Sequence, residues 1–322
     1  MTTCSMTGAE RRCGATDGVL TIRKAAGWTS HDVVAKIRHI LGGVKVGHGG
    51  TLDPAATGVL PILIGRGTRI AEYLIRWEKE YRAVLRLGVT TDTQDATGIV
   101  VARHDASAVT DRAICETVER FRGTIQQVPP MYSAVKIGGT PLYKSARAGK
   151  TVEREARTVV IHALDVLTVD GTDVTLRILC SKGTYVRTLC ADLGSALGVG
   201  GHLLSLERRR VGPLTVDAAM TVEEAAAHHA LGRLSDYLMP MDHALQDLPC
   251  VEVDGPTSNR VRHGSPVPFS CLRWLKPSTE SGTAVRIRDT EARLLAIGRY
   301  LGERHSVVTV EKVLIGQDMK DI

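Results

Sequence analysis

Apolar and polar residues alternate in two segments of the chain, as they do in β-strands that bury one face. In residues 79–88 one face carries Tyr81, Ala83, Leu85 and Leu87, and the other carries Arg82 and Arg86. Successive side chains of a strand point to opposite sides, so Tyr81 falls on the apolar face. A second run alternates in the same way and comprises Val174, Leu176, Ile178 and Cys180. Both segments are predicted to be half-buried strands.

Other segments repeat apolar residues at helical spacing. One stripe follows Thr29 and Ser30, either of which is a suitable N-cap, and comprises Val33, Val34, Ile37, Ile40 and Leu41. A second stripe begins after the turn at 181–184 and comprises Val186, Leu189, Cys190, Leu193 and Leu197. Tyr185 and Arg187 lie off this second stripe and are free to face a cleft. Thr68 is predicted to cap a short helix, and Thr221 with Glu224 to form a capping box.

Composition narrows the class of protein. The chain has 322 residues, of which 43% are hydrophobic and 24% charged, values typical of a globular protein. No apolar run approaches the roughly 20 residues that span a bilayer, and the first 18 residues lack the apolar region of a signal peptide. We therefore expect a cytoplasmic protein. Seven cysteines without a C-x-x-C pair, and eleven histidines without ligand spacing, predict neither a disulfide framework nor a metal site.

The net charge of +6 gives mild support for a polyanionic partner. Basic residues cluster in the run 208–210 and in a second stretch comprising Lys144, Arg147, Lys150, Arg154 and Arg157. Each cluster can also be an ordinary solvated face. Aromatic residues make up only 4% of the chain, which argues against a broad platform for stacking bases.

One carboxylate, Asp53, lies in a loop punctuated by glycine and proline, with the sequence GHGGTLDPAATGVLP at residues 47–61. Glycine permits backbone conformations closed to other residues, and Pro54 fixes φ directly after the acid. Such a loop can present a carboxylate to a substrate with little side-chain entropy left to lose. Asp also caps turns of this kind without any chemical role, and the loop alone leaves both readings open.

The whole window resembles the catalytic motif of the TruB-type tRNA pseudouridine synthases, G-H-x-G-T-L-D-P-x-A-T-G-V-L-P. Further segments resemble the same family: the K-x-Y motif at Tyr81, S-K-G-T-Y-x-R-T at 181–188, Q-x-P-P-x-Y-S-A-x-K from 127, and the basic strand near 206–211. The chain departs from the family's usual opening, D-K-P-x-G. Arg23 and Ala25 replace the acid and the proline, while Lys24 and Gly27 remain.

The resemblance implies a fold and a domain plan. It implies an α+β fold with a mixed, mainly antiparallel central sheet flanked by helices, the pseudouridine synthase fold, followed by a small β-rich PUA-like domain. We expect a polar tail at 1–18 and a catalytic domain at 19–239, with a basic RNA-covering insertion at about 125–158. A linker at 240–249 then leads to the PUA-like RNA-binding domain at 250–322.

The resemblance also implies an activity and a set of site residues. The expected reaction converts uridine 55 in the T-arm stem-loop of tRNA to pseudouridine by base flipping, with no cofactor, metal or guide RNA, in a monomer. Asp53 would be nucleophile or general base, held ionised by Arg187. Tyr81 would stack on the flipped base and Tyr185 would shape the pocket. His48 would either support the flipped RNA or brace the loop. The remaining expected substrate-binding residues are Lys24, Lys144, Arg147, Arg208 and Arg209.

Two alternatives belong to other classes of protein. An RNA-binding protein or tRNA folding chaperone could carry the motifs while catalysis is incidental. A metal-dependent phosphotransferase or nuclease could use Asp53, Asp92 and Asp95. The retained Asp, Tyr and Arg motifs argue against the first, and the lack of a ligand cluster in the sequence argues against the second.

Overall fold

The computed structural model describes residues 17–133, 136–137, 139–147, 149, 152–274, 280–302 and 307–315. Most of the predicted polar tail, residues 1–16, lies outside the described residues. The helices are α1 Ser30–Ile40, α2 Ala71–Ile75, α3 Asp111–Glu119, α4 Leu142–Arg147, α5 Val186–Ala196, α6 Val222–Ala230, α7 Met241–Ala244 and α8 Gly255–Arg262. Short 3₁₀ helices cover Gly65–Ile70, Leu234–Tyr237 and Phe269–Cys271.

The strands of the first 220 residues are β1 Gly18–Lys24, β2 Val46–His48, β3 Thr57–Ile64, β4 Lys79–Leu87, β5 Val89–Thr91, β6 Val100–Arg103, β7 Gly123–Gln127, β8 Lys136–Ile137, β9 Thr140–Pro141, β10 Arg157–Asp170, β11 Asp173–Cys180, β12 Gly201–Val211 and β13 Leu214–Thr215. Within the described residues, nine of them form one sheet with the order β1-β3-β12-β4-β11-β10-β7, β2 beside β3 and β13 beside β12. The pair β3 and β12 is parallel, and the other pairs are antiparallel. The predicted mixed, mainly antiparallel sheet is confirmed.

Both alternating segments are strands of this sheet, β4 and β11, and they pair with each other. Their predicted apolar faces are buried against α5, whose stripe includes Leu189 and Leu193. This packing brings the N-terminal end of α5 towards the Tyr81 end of β4. The strand register and the helix stripe therefore carry the two family motifs, around Tyr81 and Arg187, into one region.

Helix caps agree with the sequence in two of three cases. Thr29 caps α1 in a capping box with Asp32, and Thr221 caps α6 in a capping box with Glu224. The prediction for Thr68 is wrong: its hydroxyl donates to the Gly65 carbonyl, 2.8 Å away, inside a 3₁₀ helix. The α-helical turn begins only at Ala71, after the tighter turn has used the preceding residues.

The C-terminal part holds β14 Cys250–Val253, β15 Val267–Pro268, β16 Arg273–Trp274, β17 Ala284–Asp289, β18 Leu294–Tyr300 and β19 Val307–Val313. In the described residues these strands form a separate sheet of order β15-β19-β18-β17-β14-β16. Helix α8 packs on this sheet through Val261. This confirms a small C-terminal β-rich unit; its PUA-like, RNA-binding character remains a prediction.

The segment 240–249, expected to be a linker, is packed against both parts of the chain. It contains α7, and its Leu245 is buried in a cluster that joins Val19 and Leu63 of the central sheet to Ile297 and Leu314 of the C-terminal part. This apolar cluster contains residues of the central sheet, of the segment 240–249 and of the C-terminal sheet, and it holds the two sheets together. Within the described residues, no helix is both long and apolar enough to cross a membrane.

Candidate active site around Asp53

The Asp53 loop connects β2 to β3 and is tied down from the side of β1 and α1. The Lys24 Nζ donates to the Pro54 carbonyl, 3.1 Å away. The Ser30 hydroxyl donates to the Leu52 carbonyl at 3.1 Å and accepts from the Leu52 N–H at 2.9 Å. The Leu52 N–H, the Leu52 carbonyl and the Pro54 carbonyl, on either side of the acid, thus have fixed partners, which holds the backbone at Asp53 in place.

Asp53 pairs with Arg187, the second residue of α5. The Arg187 Nε lies 2.9 Å from Asp53 Oδ2; the Arg187 side chain is 7% exposed, whereas that of Asp53 is 43% exposed. Partial burial raises the pKa of Asp53, and the neighbouring Arg187 charge acts in the opposite direction. The carboxylate therefore faces solvent on one side and a buried guanidinium on the other. The predicted proximity of these two residues is confirmed, and their catalytic roles remain predictions.

A second carboxylate, Asp95, reaches the same guanidinium from the β5–β6 connection. Its Oδ2 lies 3.6 Å from Arg187 Nη1, and Arg187 also donates to the carbonyls of Thr93 and Tyr132, at 3.3 and 2.8 Å. The negative charge of Asp95 further raises the pKa of Asp53. From sequence, Asp95 is a candidate only in the metal-dependent alternative, together with Asp53 and Asp92.

The two tyrosines expected at the site differ in burial. Tyr81 is 9% exposed, and burial raises the pKa of its hydroxyl to about 12. Tyr185 is the residue before α5 and is partly exposed. Its N–H and carbonyl are bound at 2.8 and 3.0 Å by the buried side-chain amide of Gln127, from β7. Gln127 opens the Q-x-P-P motif, but its support of Tyr185 could not be predicted, because a glutamine at a strand end carries no chemical signature.

His48 lies at the end of β2, at the entrance to the loop. Its Nδ1 accepts a hydrogen bond from the Gly50 N–H, at 3.3 Å, and its ring meets that of His31 edge-on, with 5.6 Å between centroids. Burial, followed by the charges of His31 and Arg208, lowers the pKa of His48. These contacts support the loop-bracing role, one of the two alternatives that the sequence left open.

Two residues expected to bind substrate, Lys24 and Arg208, are buried and hold the loop by hydrogen bonds. Lys24 is fully buried and donates to the carbonyls of Ala25, Trp28 and Pro54; burial lowers its pKa to about 8. Arg208 is 2% exposed and donates to carbonyls of the loop. Their contact with substrate stays a prediction, whereas their contacts with the loop are part of the fold.

The other basic residues expected to bind substrate are Lys144, Arg147 and Arg209. Lys144 is exposed on α4, and the side chain of Arg147 lies outside the described part of the structure. Arg209 has a side chain 40% exposed and lies 3.3 Å from each of Glu207 and Asp217. Lys144 and Arg209 therefore remain available to a polyanion.

Asp53, Asp95 and Arg187 line one small cleft together with the β12 segment 203–206. A larger cavity of about 370 Å³ is lined by Ala25, Ala26 and Trp28 together with Thr57 and Gly58. Asp53 does not line that cavity, so the smaller cleft is the one that contains the Asp53–Arg187 pair. Among the described residues, no group of three or more His, Cys, Asp or Glu side chains is arranged to hold a metal ion.

A carboxylate on a Gly- and Pro-punctuated loop, paired with an arginine at a helix N-terminus and set in a mixed sheet, defines the site of a pseudouridine synthase. Residues 38–186 match the family model of the TruB family pseudouridylate synthase N-terminal domain, and residues 187–246 match that of the tRNA pseudouridylate synthase B C-terminal domain. The chain belongs to the TruB family of pseudouridylate synthases.

Curated relatives agree with this assignment along most of the chain. A tRNA pseudouridine synthase B of Ralstonia pickettii is 45% identical over 296 residues, covering 88% of this chain and 91% of the relative. One of Ralstonia nicotianae is 46% identical over 292 residues, with the same coverage of both chains. One of Burkholderia mallei is 45% identical over 285 residues, covering 88% of this chain and 93% of the relative.

Solved structures share the fold at lower identity. A chain of a Cbf5–Nop10–Gar1 complex superposes with a TM-score of 0.75 at 30% identity, over 94% of this chain and 86% of that one. A chain of an H/ACA ribonucleoprotein bound to a substrate RNA containing 2′-deoxyuridine gives a TM-score of 0.73 at 28% identity, with the same coverage. These likenesses extend through both sheets and confirm the pseudouridine synthase fold.

Proposed function

We propose that this protein isomerises uridine 55 in the T-loop of tRNA to pseudouridine, with Asp53 as the catalytic carboxylate. The observation that carries the proposal is the Asp53–Arg187 pair, in which a partly exposed carboxylate is held at 2.9 Å by a buried guanidinium. The tRNA substrate is supported by the names of relatives 45–46% identical to this chain.

The reaction exchanges one bond to the ribose for another. The N1–C1′ bond breaks, the uracil rotates, and a C5–C1′ bond forms; the C5 hydrogen is lost as a proton and N1 gains one. No electron donor or acceptor is needed. Asp53 serves as nucleophile at the ribose or as general base at C2′. Arg187 holds Asp53 ionised and in one orientation, because a nearby cation favours the charged form.

A uridine stacked in an RNA loop cannot reach Asp53 unless it is flipped out, at a cost of a few kcal/mol. Tyr81 stacks on the flipped base and Tyr185 closes the pocket wall. Phosphate contacts from Lys144, Arg147 and Arg209 offset the cost of flipping. Recognition then rests on the shape of the stem-loop and the path of its phosphates more than on base identity. The PUA-like C-terminal sheet contacts the RNA beyond the loop.

The proposal includes a cytoplasmic monomer that works without a guide RNA. The solved H/ACA and Cbf5 structures are 28–30% identical to this chain, well below the 45–46% of the tRNA pseudouridine synthase B relatives. That difference favours the stand-alone type of enzyme.

The test is tritium release from a tRNA transcript labelled with [5-³H]uridine, since C5 loses its hydrogen to water in the reaction. Wild type should release tritium, and Asp53→Asn should not, because an amide cannot act as nucleophile or base. Asp105→Asn is the matched control: Asp105 is exposed, lies outside the cleft, and accepts from the Ser107 N–H as a turn residue. It should keep full activity.

A transcript with cytidine in place of uridine 55 should release no tritium from that site. If wild type releases none from the normal transcript yet binds it tightly, the protein is an RNA-binding protein that has kept the motifs of the enzyme. If Asp53→Asn retains release, the carboxylate has been assigned wrongly.

A further inference from the structure

Arg208 lies on β12, between the strand that carries Tyr81 and the strand that follows the Asp53 loop. Its Cα pairs with that of Tyr81 across the antiparallel β12–β4 pair and with that of Gly58 across the parallel β12–β3 pair. Residues directly opposite each other in an antiparallel pair have side chains on the same face of the sheet. The Arg208 side chain therefore shares a face with Tyr81 and is 2% exposed.

The guanidinium of Arg208 ties together the two ends of the Asp53 loop. Its Nη2 donates to the Gly50 carbonyl at 3.0 Å and its Nη1 to the Thr51 carbonyl at 3.2 Å, both ahead of the acid. Its Nε donates to the Val59 carbonyl at 2.7 Å, beyond the acid. One planar group thus fixes the separation of the segments that enter and leave the catalytic turn.

Tyr81 lies directly opposite Arg208 and is also buried, and the guanidinium charge acts against the burial that raises the pKa of the Tyr81 hydroxyl. Arginine has five N–H donors and no acceptor, and the three carbonyls use three of those donors. Any hydrogen bond between the two groups therefore has the Tyr81 oxygen as its acceptor. Its own hydrogen then points away from the guanidinium, which leaves Tyr81 able to donate that hydrogen to a group on the substrate side.

We propose that Arg208 is a positioning residue that fixes the Asp53 loop and orients the Tyr81 hydroxyl as a hydrogen-bond donor towards the flipped base. This inference rests on the proposed function, because it assigns a direction to a group of that same site. It replaces the expected phosphate contact of Arg208 by an action through two other residues, Asp53 and Tyr81.

The neighbouring Arg209 offers a matched comparison. It has the same charge and lies one position further along β12, yet its side chain is 40% exposed and pairs with Glu207 and Asp217 at the surface. A phosphate contact by either residue would contribute to RNA affinity with a dependence on salt. A positioning role would change the rate of the chemical step while the affinity stays nearly constant.

The experiment compares Arg208→Met, Arg208→Lys and Arg209→Met in the full chain, by single-turnover tritium release at saturating enzyme and by filter binding of the same tRNA. Arg208→Met should slow the chemical step by about 10- to 100-fold, as small displacements of catalytic groups do, and leave Kd within about threefold. Arg208→Lys should recover part of the rate, since lysine keeps the charge but cannot reach three carbonyls from one plane. Arg209→Met should weaken binding and reduce the salt slope by about one, with the single-turnover rate retained.

A double-mutant cycle with Tyr81→Phe tests the route of the effect, because residues that act through one another are not additive. In the Tyr81→Phe background, Arg208→Lys should slow the reaction less than it does in wild type. Far-UV circular dichroism and the urea midpoint confirm that each variant is folded; if Arg208→Met does not fold, the Arg208→Lys cycle carries the test.

Two results would overturn the proposal. One is a loss of affinity with a lower salt slope and an unchanged single-turnover rate for the Arg208 variants, which would restore the phosphate contact. The other is a cycle in which the effects of Arg208→Lys and Tyr81→Phe multiply independently. Failure of the proposed function is a separate outcome, since it would appear as absence of tritium release from the wild type itself.

Discussion

Gly58 is the point at which the return strand of the catalytic loop packs on the backbone of Arg208. Its φ is +101°, and a Cβ at this position would lie 2.2 Å from the Arg208 carbonyl oxygen and 2.8 Å from its nitrogen. Neither atom belongs to a flexible side chain, so an alanine must push β3 away from β12. We predict that Gly58→Ala destabilises the fold and displaces the Asp53 loop.

The magnitude follows from two separate costs. A non-glycine residue at positive φ destabilises the folded state by roughly 1–3 kcal/mol. A steric clash with backbone atoms that cannot move aside destabilises it by roughly another 1–3 kcal/mol. Gly123→Ala isolates the first cost, because Gly123 has φ +83° and no atom within 4 Å of its hypothetical Cβ. The two variants should therefore differ by about 1–3 kcal/mol in the free energy of unfolding.

Urea unfolding followed by tryptophan fluorescence measures this difference, and tritium release measures the effect on the loop. Gly58→Ala should have the lower urea midpoint and the slower single-turnover rate, whereas Gly123→Ala should keep the wild-type rate. Equal midpoints for the two variants would show that β3 and β12 can separate at little cost, and the reasoning from the close backbone contact would be refuted.

Two further outcomes follow from the site. Arg187→Met removes the cation that opposes the effect of burial on the pKa of Asp53. The pKa of Asp53 should therefore rise further above its usual value, so that the ionised carboxylate forms only at higher pH. The acidic limb of the pH–rate profile should then shift to higher pH. An unmoved limb would mean that the measured profile does not report Asp53. Tritium release should also persist in excess EDTA, whereas a loss restored by Mg²⁺ would favour the metal-dependent alternative with Asp53, Asp92 and Asp95.

Periodicity and local motifs predicted the parts of the site that depend on short stretches of chain. The alternation of β4 places Tyr81 on the buried face, and the stripe of α5 leaves Arg187 at its beginning, so both residues could be placed from sequence. Thr68 shows the limit of the same reasoning, because a threonine before an apolar run does not distinguish an α-helical turn from a 3₁₀ turn.

Sequence patterns do not show the burial of residues whose surroundings come from distant parts of the chain. Arg208 stands in a run of three arginines, which is typical of an exposed face. Its burial depends on the parallel pairing of β12 with β3, about 150 residues earlier in the chain, and no local pattern encodes that pairing. The alternation from Leu206, which also packs against the core, was the available indication that Arg208 lies on an inward face. Lys24 is enclosed for a similar reason, by carbonyls of the α1 approach and of the Asp53 loop.

The apolar cluster that contains Leu245, Ile297 and Val19 has a consequence for how this protein can change in evolution. The C-terminal sheet is not a module attached by a tether, since it supplies part of the interior on which the first strand of the central sheet rests. Exchange or loss of residues 250–322 would remove Ile297 and Leu314 from this cluster, and a flexible insertion near α7 would separate surfaces that must meet. Substitutions in the central-sheet part and in the C-terminal part of this cluster are therefore expected to accumulate in compensating pairs rather than independently.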